Sequence, residues 1–278
     1  QWIVACNSMD GIIVPSEFTK NVLENSGQIR KKISVIPESI PDSFKDDLKQ
    51  TKFLKTRSKR NFLLFGQLTA PDASCDRKNT INAIKWFCEK YKDRKDVGLI
   101  VKTNMGTNSS LDRRISLRTL ENVVHSIRKG KYPKVHLLHG NIDEKELFSL
   151  YNDRSLVGLI SATRGEGYGL PMIEAAAAGL PVMATDWSGH KTFLQPGHWI
   201  PINYSMVTIP DQRVDNRIFM QSAMWAEPDG EDFKNKLALL LKSKSEYKKK
   251  AIKQRDVIVR EYSQDAINKL YDTFMNEL

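Results

Sequence analysis

The sequence predicts an α/β fold built on a doubly wound parallel sheet of the Rossmann-like kind. Three observations predict it. Between residues 61 and 185, short apolar runs of strand length alternate with segments of helical period. Turn and cap residues punctuate the junctions, and one glycine-rich turn leads from a strand directly into a helix.

The first unit is GIIVPS, residues 11–16, an apolar run ending in Pro-Ser, and Ser16 is placed to cap a helix over 17–25. KISVIP forms a second strand before Glu38-Ser39-Ile40-Pro41. Residues 45–60 are polar, charged and without clear periodicity, which reads as a linker. NFLLFG then starts a new register as a buried strand. Residues 79–91 follow as an amphipathic helix carrying Ile81, Ile84, Trp86, Phe87 and Tyr91. VGLIVK is a strand, 117–128 a helix, 135–140 a strand, 144–151 a helix and 156–161 a strand. An alanine-rich helix over 171–178 stops at Gly179, and PVMAT is the next strand. Beyond Gly230 the pattern is helical, over 232–242 and over 246–278, the second with an interruption.

Composition excludes several classes. With 278 residues, 40% hydrophobic and 27% charged, the chain buries a full core, and no apolar run approaches the length of a membrane span. Cys6, Cys75 and Cys88 show no CxxC spacing, which argues against a disulfide framework and for a reducing, cytoplasmic setting. The net charge of +10 concentrates in runs over 52–60, 128–134 and 242–253. Few aromatics interleave them, so they read as solvated faces rather than a nucleic-acid platform, while a peripheral contact with an anionic membrane stays open. Gln1 is not an initiator Met and no signal-peptide pattern follows, so the chain is expected to begin within a longer protein.

The chemistry concentrates in TRGEGYGLPMIEAAAAG, residues 163–179. Gly167 and Gly169 permit close backbone approach, Pro171 sits in the first helical turn, and the N–H groups of Gly169 and Leu170 are expected to be unpaired at a helix start that favours an anion. Glu166 and Glu174 bracket the turn and suit sugar or ribose hydroxyls rather than phosphate. Phosphate and polyol together suggest a nucleotide sugar. His139, His190 and His198 are isolated, without metal-ligand spacing, so no metal is expected. Trp199 and Trp225 are expected to pack.

The two glutamates, with seven residues between them around a glycine-rich turn, resemble the signature of retaining GT-B glycosyltransferases of family 4, the glycosyl transferases group 1. VPSEFTKNVLENSG, SVIPESI, DRKNT, LIVKTN, HLLHGNIDEKELFSLY, PVMATDWSG and WAEP extend the resemblance over nearly the whole chain. It implies the C-terminal, donor-binding half of a GT-B fold: residues 1–42 as the end of an N-terminal acceptor domain and hinge, 43–60 as a basic linker, 61–250 as the nucleotide-sugar domain, and 251–278 as a helix crossing back. It implies Glu166 as the catalytic-site carboxylate beside the donor sugar and Glu174 on the ribose. The backbone of Gly167, Tyr168, Gly169 and Leu170 would line the sugar and diphosphate, with Gly140 and Ile142 bordering the base. Gln67 stands where the family commonly has an Arg, followed by an insertion, so the diphosphate charge is assigned to Arg77 and Lys78, with Lys102 as a third cation.

The implied activity is transfer of a hexose from a nucleotide-diphosphate sugar, GDP-mannose being favoured over UDP-hexoses, to a saccharide or glycan acceptor with retention and without a cofactor. A nucleotide-sugar-binding module without catalysis and a sugar-nucleotide epimerase of the same fold stay open as alternatives. A nicotinamide dehydrogenase does not fit, because the run is G-x-G-x-G and lies late in the sheet. The chain alone is expected to bind donor without transferring it. Leu270, Tyr271 and Phe274 are expected to be poorly covered, favouring self-association.

Overall fold

The structure is a computed structural model that describes residues 2–68 and 72–278. A short helix, α1 (Trp2–Asn7), precedes β1 (Ile12–Val14), α2 (Glu17–Asn25) and β2 (Ile33–Val35). β1 and β2 pair in parallel, Ile12 beside Ile33, over a small apolar cluster of Ile12, Val14 and Ile33. Ser16 does cap α2, its hydroxyl accepting the Thr19 N–H at 3.1 Å.

The main sheet is built from β3 (Arg60–Phe65), α3 (Thr80–Lys90), β4 (Val97–Thr103), α4 (Ser110–Ile127), β5 (Lys134–His139), α5 (Glu144–Tyr151), β6 (Leu156–Ser161), α6 (Leu170–Ala177), β7 (Val182–Thr185) and β8 (Ile200–Ile202). Its strand order is β5-β4-β3-β6-β7-β8, parallel throughout. The chain enters at β3, winds out to β5, and returns to the other side of β3 at β6. The order therefore reverses between β3 and β6, where open sheets bind ligands beyond their carboxyl ends.

Successive strand side chains point to opposite faces, which divides the core in two. Leu63, Ile100, Leu159 and Val182 pack with Ile173, Ala176 and Ile258 on one face. Phe62, Leu64, Leu99, Val101 and Val157 pack with Phe87, Leu120 and Leu237 on the other. The chain continues through an antiparallel hairpin, β9 (Tyr204–Thr208) and β10 (Met224–Pro228), then α7 (Gly230–Lys242), α8 (Lys244–Glu261) and α9 (Gln264–Asn276). Among the described residues, no helix is long and apolar enough to cross a membrane.

Several expectations need correction. The segment 43–60 is no loose linker: Phe44 is fully buried, Phe53 and Leu54 pack on the core, and Thr51 bridges to Asp153. Three apolar residues spaced irregularly leave no periodic signal. α4 starts seven residues earlier than 117, because Ser109 and Asp112 form a capping box. A boundary at 250 falls inside α8. The C-terminal interruption lies at Tyr262-Ser263, where Ser263 caps α9. Phe274 is buried rather than uncovered: its ring lies so near Gly11 that a Cβ there would sit 2.7 Å away, and Glu277 pairs with Lys32. Leu270 and Tyr271 remain exposed.

Candidate functional site

The turn between β6 and α6 sits at the reversal of strand order. Gly169 adopts a φ of +107°, a left-handed backbone that favours glycine, and Gly189 packs so closely that a Cβ there would collide with the Gly167 carbonyl. Every carbonyl from Gly165 to Gly167 is occupied. Arg77 donates to Gly165, the Gly189 N–H to Glu166 at 2.9 Å, and the hydroxyls of Ser16 and Thr19 to Gly167 at 2.6 and 3.1 Å. The Glu166 N–H donates to the Ser188 hydroxyl at 2.9 Å. By contrast, the N–H groups of Gly167, Tyr168, Gly169 and Leu170 meet no acceptor among the described residues. The turn is thus tethered by its oxygens and presents its amides at the start of α6, an anion-binding arrangement.

Glu166 is buried beside this turn and is held by both basic residues of the loop before α3. Lys78 reaches it at 2.6 Å, Arg77 at 3.0 Å, and the Thr163 hydroxyl donates at 3.0 Å. Burial pushes its carboxyl up, but the charges of Lys78 and Arg77 outweigh that and hold it below its ordinary value. The structure therefore brings Arg77, Lys78 and Glu166 into one cluster. Their loop is fixed by Asp76, whose carboxylate accepts the N–H groups of Lys78 and of Thr80, the first residue of α3, at 2.9 and 2.6 Å.

Sequence reasoning missed Arg164. Its guanidinium is buried, donates to the carbonyls of Ala73 and Asp76 at 2.7 Å each, pairs with Glu227 at 2.6 Å and lies 5.0 Å from the Trp225 ring. Its backbone N–H also donates to the Arg77 carbonyl at 2.8 Å. One side chain thus fixes the basic loop to β10. A charged residue at the head of the glycine turn was the available signal, but its partners are distant in sequence. Trp225 is buried as expected and also meets this cation.

Glu174, half-buried on α6, accepts a hydrogen bond from the Tyr151 hydroxyl at 2.9 Å. Burial raises its pKa to about 7, against the opposing effect of that bond. Lys102 is buried at the carboxyl end of β4 and donates to the Gly140 carbonyl and the Asn104 side chain, each at 2.6 Å; burial lowers its pKa. Lys102 and Gly140 are thus joined to each other, while no hydrogen bond joins Lys102 to Glu166 or its two cations among the described residues. Ile142 packs on the core just before Asp143, the cap of α5.

Tyr168 turns away from the site. Its hydroxyl donates to the Glu38 carbonyl at 2.9 Å and its ring meets Phe193 at 5.0 Å, which leaves only its backbone at the turn. Leu170 is exposed beside it. The Gln67 N–H donates to the Thr80 hydroxyl at 3.0 Å, and residues 69–71 of the insertion after it lie outside the described residues. His190 is buried with its Nε2 2.7 Å from the Thr185 carbonyl, and burial lowers its pKa to about 4. A cleft of about 770 Å³, walled by Phe18, Trp187 and Tyr204, opens beside Ser188.

Comparison with known proteins agrees with this arrangement. Residues 116–211, which include Glu166 and Glu174, match the family model described as "Glycosyl transferases group 1". The chain is 29% identical over 161 residues to the serotype-specific mannosyltransferase WbdA of Escherichia coli, a match covering 58% of this chain and 18% of that protein. Among solved structures, it superposes on Anabaena HepE in complex with UDP and glucose with a TM-score of 0.71 at 13% identity, covering 100% of this chain and 66% of that one. It superposes on the sucrose-phosphate synthase of Thermosynechococcus elongatus with a TM-score of 0.67 at 15% identity, covering 100% and 61%. The chain thus spans less than two thirds of each. The parallel sheet order is that of a Rossmann-like domain, and the glycine turn with its two glutamates lies within the segment that matches the glycosyl transferases group 1 model.

Proposed function

We propose that this chain is the donor-binding half of a glycosyltransferase that moves a hexose from a nucleotide-diphosphate sugar to a saccharide acceptor with retention. The observation that carries this reading is the glycine turn, whose N–H groups meet no acceptor among the described residues while Arg77 and Lys78 converge on Glu166 beside it. Departure of a diphosphate builds negative charge on its oxygens, and amides and cations already in place stabilise that charge without reorganising.

In the ligand-free arrangement the two cations neutralise Glu166. An entering diphosphate competes for them, and the released carboxylate is then available to accept hydrogen bonds from the donor sugar. Glu174 takes the ribose hydroxyls, Gly140 and Ile142 border the base, and Lys102, tied to the Gly140 carbonyl, stands as a third cation for the diphosphate. The cleft walled by Phe18, Trp187 and Tyr204 offers aromatic faces to a saccharide acceptor. GDP-mannose is favoured as donor, which the likeness to a mannosyltransferase supports.

Calorimetry with GDP-, UDP-, ADP- and dTDP-sugars tests the reading, since one series should bind tightest. Substitution of Arg77 and Lys78 by Ala should weaken the diphosphate far more than the free nucleoside. Equal loss for both ligands would remove these residues from the phosphates.

A further inference from the structure

The end of the sheet opposite the glycine turn carries two adjoining cavities that donor binding does not use. One, of about 300 Å³, lies between the starts of β6 and β7 and the first turns of α8, where Lys244 and Lys248 line it. The other, of about 350 Å³, is lined by Lys52, Arg57 and Lys59. Arg154 and Asp153 belong to both. Two basic runs far apart in the sequence, 52–60 and 242–253, therefore meet at one pole of the fold.

The balance of charge there is one-sided. Asp153 is the single carboxylate on either wall, and its oxygens already accept the Leu54 N–H at 2.8 Å and the Ser155 N–H and hydroxyl at 2.8 and 2.6 Å. Among the described residues, none of the six cations pairs with a carboxylate within 4.0 Å. Lys248 has a structural role as well, donating to the Gly179 carbonyl at the end of α6 at 2.6 Å, where a cation complements the helix dipole. That role accounts for one lysine and leaves five cations without a partner. Burial, together with the charges of Lys244 and Arg255, lowers the Lys248 pKa to about 8, and burial and Arg60 lower that of Lys244 against the opposing charge of Asp153. Crowded, partly desolvated cations of this kind are relieved by an anion.

Shape decides what kind of anion. A membrane or a duplex would meet a convex basic face, whereas these are concave spaces of the size that holds small ligands. We propose that this pole is a binding site for a small compound bearing two or more phosphate groups, one held by Lys244 and Lys248, another by Arg57 and Lys59, with Arg154 between them.

The test is calorimetric titration with tripolyphosphate, using wild type and the Arg77→Ala/Lys78→Ala protein, in which the glycine-turn site is weakened. Wild type should show two saturable sites and the double variant one. That remaining site should weaken by about tenfold or more when the exposed Arg57 and Arg154 are changed to Glu, as for lost charge-assisted contacts, and likewise with Lys244→Met/Lys248→Met. Arg57 and Arg154 lie on the surface, so their variants stay informative if the lysine pair fails to fold. Loss of all binding in Arg77→Ala/Lys78→Ala protein, or a remaining site indifferent to the pole variants, would overturn the proposal. Failure of the donor reading looks different: Arg77→Ala/Lys78→Ala would then leave the titration unchanged. Sedimentation with phosphatidylcholine vesicles containing phosphatidic acid identifies the source of the phosphate. Co-sedimentation abolished by the same pole variants would overturn the small-compound proposal in favour of a membrane surface, and no co-sedimentation supports a soluble compound.

Discussion

The hydroxyl of Ser16 donates to the carbonyl of Gly167 across 2.6 Å, joining residues 151 positions apart. The same oxygen caps α2, so that helix and the glycine turn share one buried side chain. Ser16→Ala is expected to cost about 1–2 kcal/mol, the range for a lost cap. It should also weaken diphosphate binding several-fold, because Thr19 alone then holds the carbonyl. Urea unfolding and calorimetry check this; reduced stability with unchanged affinity would separate the cap from the turn.

Glu166→Gln is expected to tighten diphosphate binding while lowering transfer by the full-length enzyme. The carboxylate competes with phosphate for Arg77 and Lys78, and a neutral amide competes less. Because the folded pKa of Glu166 lies below its unfolded value, the ion pairs contribute stability above the ordinary carboxylate pKa that is lost as pH falls through the folded one. Wild type should therefore lose more stability than the variant in acid. Weaker diphosphate binding by the variant would contradict the competition.

Glu174 carries the opposite sign. Its folded pKa of about 7 lies above the unfolded value, so the folded state holds its proton longer, and stability from this group falls as pH rises from the ordinary carboxylate range through 7. Nucleotide affinity should rise over the upper part of the same interval, as the ionised carboxylate becomes a full acceptor for ribose hydroxyls. Titrations from pH 6 to 8 should show this rise relative to Glu174→Gln. Parallel profiles for the two proteins would sink the ribose assignment.

Arg164→Met is expected to destabilise the fold by about 3 kcal/mol, since it strips a buried cation from Glu227 and leaves the Ala73 and Asp76 carbonyls without that donor. Diphosphate affinity should fall too, although Arg164 lies behind the Arg77 loop. Chemical denaturation and calorimetry separate the effects. Normal affinity in folded variant protein would show that the loop keeps its shape without Arg164.

The parallel sheet was legible because its signal is local. NFLLFG, VGLIVK and PVMAT are apolar runs of strand length, and the helices between them repeat at their own period. The glycine turn was legible for the same reason: Gly167, Gly169, Pro171 and the two glutamates lie within nine residues, and their backbone preferences act without help from elsewhere. β8, β9 and β10 were not read as strands. β8 has three residues, and burial along β9 and β10 does not alternate, so no two-residue pattern marks them.

Sequence alone thus determined the alternation of strands and helices, the glycine turn, and the basic residues of the loop before α3. Only the tertiary structure decided that Glu166 is gripped by Arg77 and Lys78, that Ser16 holds Gly167, that Arg164 ties the basic loop to Glu227, and that two basic runs share one pole. The physical reason is range: propensity and periodicity act over a few residues. A charge or hydroxyl finds its partner wherever the packed sheet brings one within hydrogen-bond distance, and that position is set by the whole core.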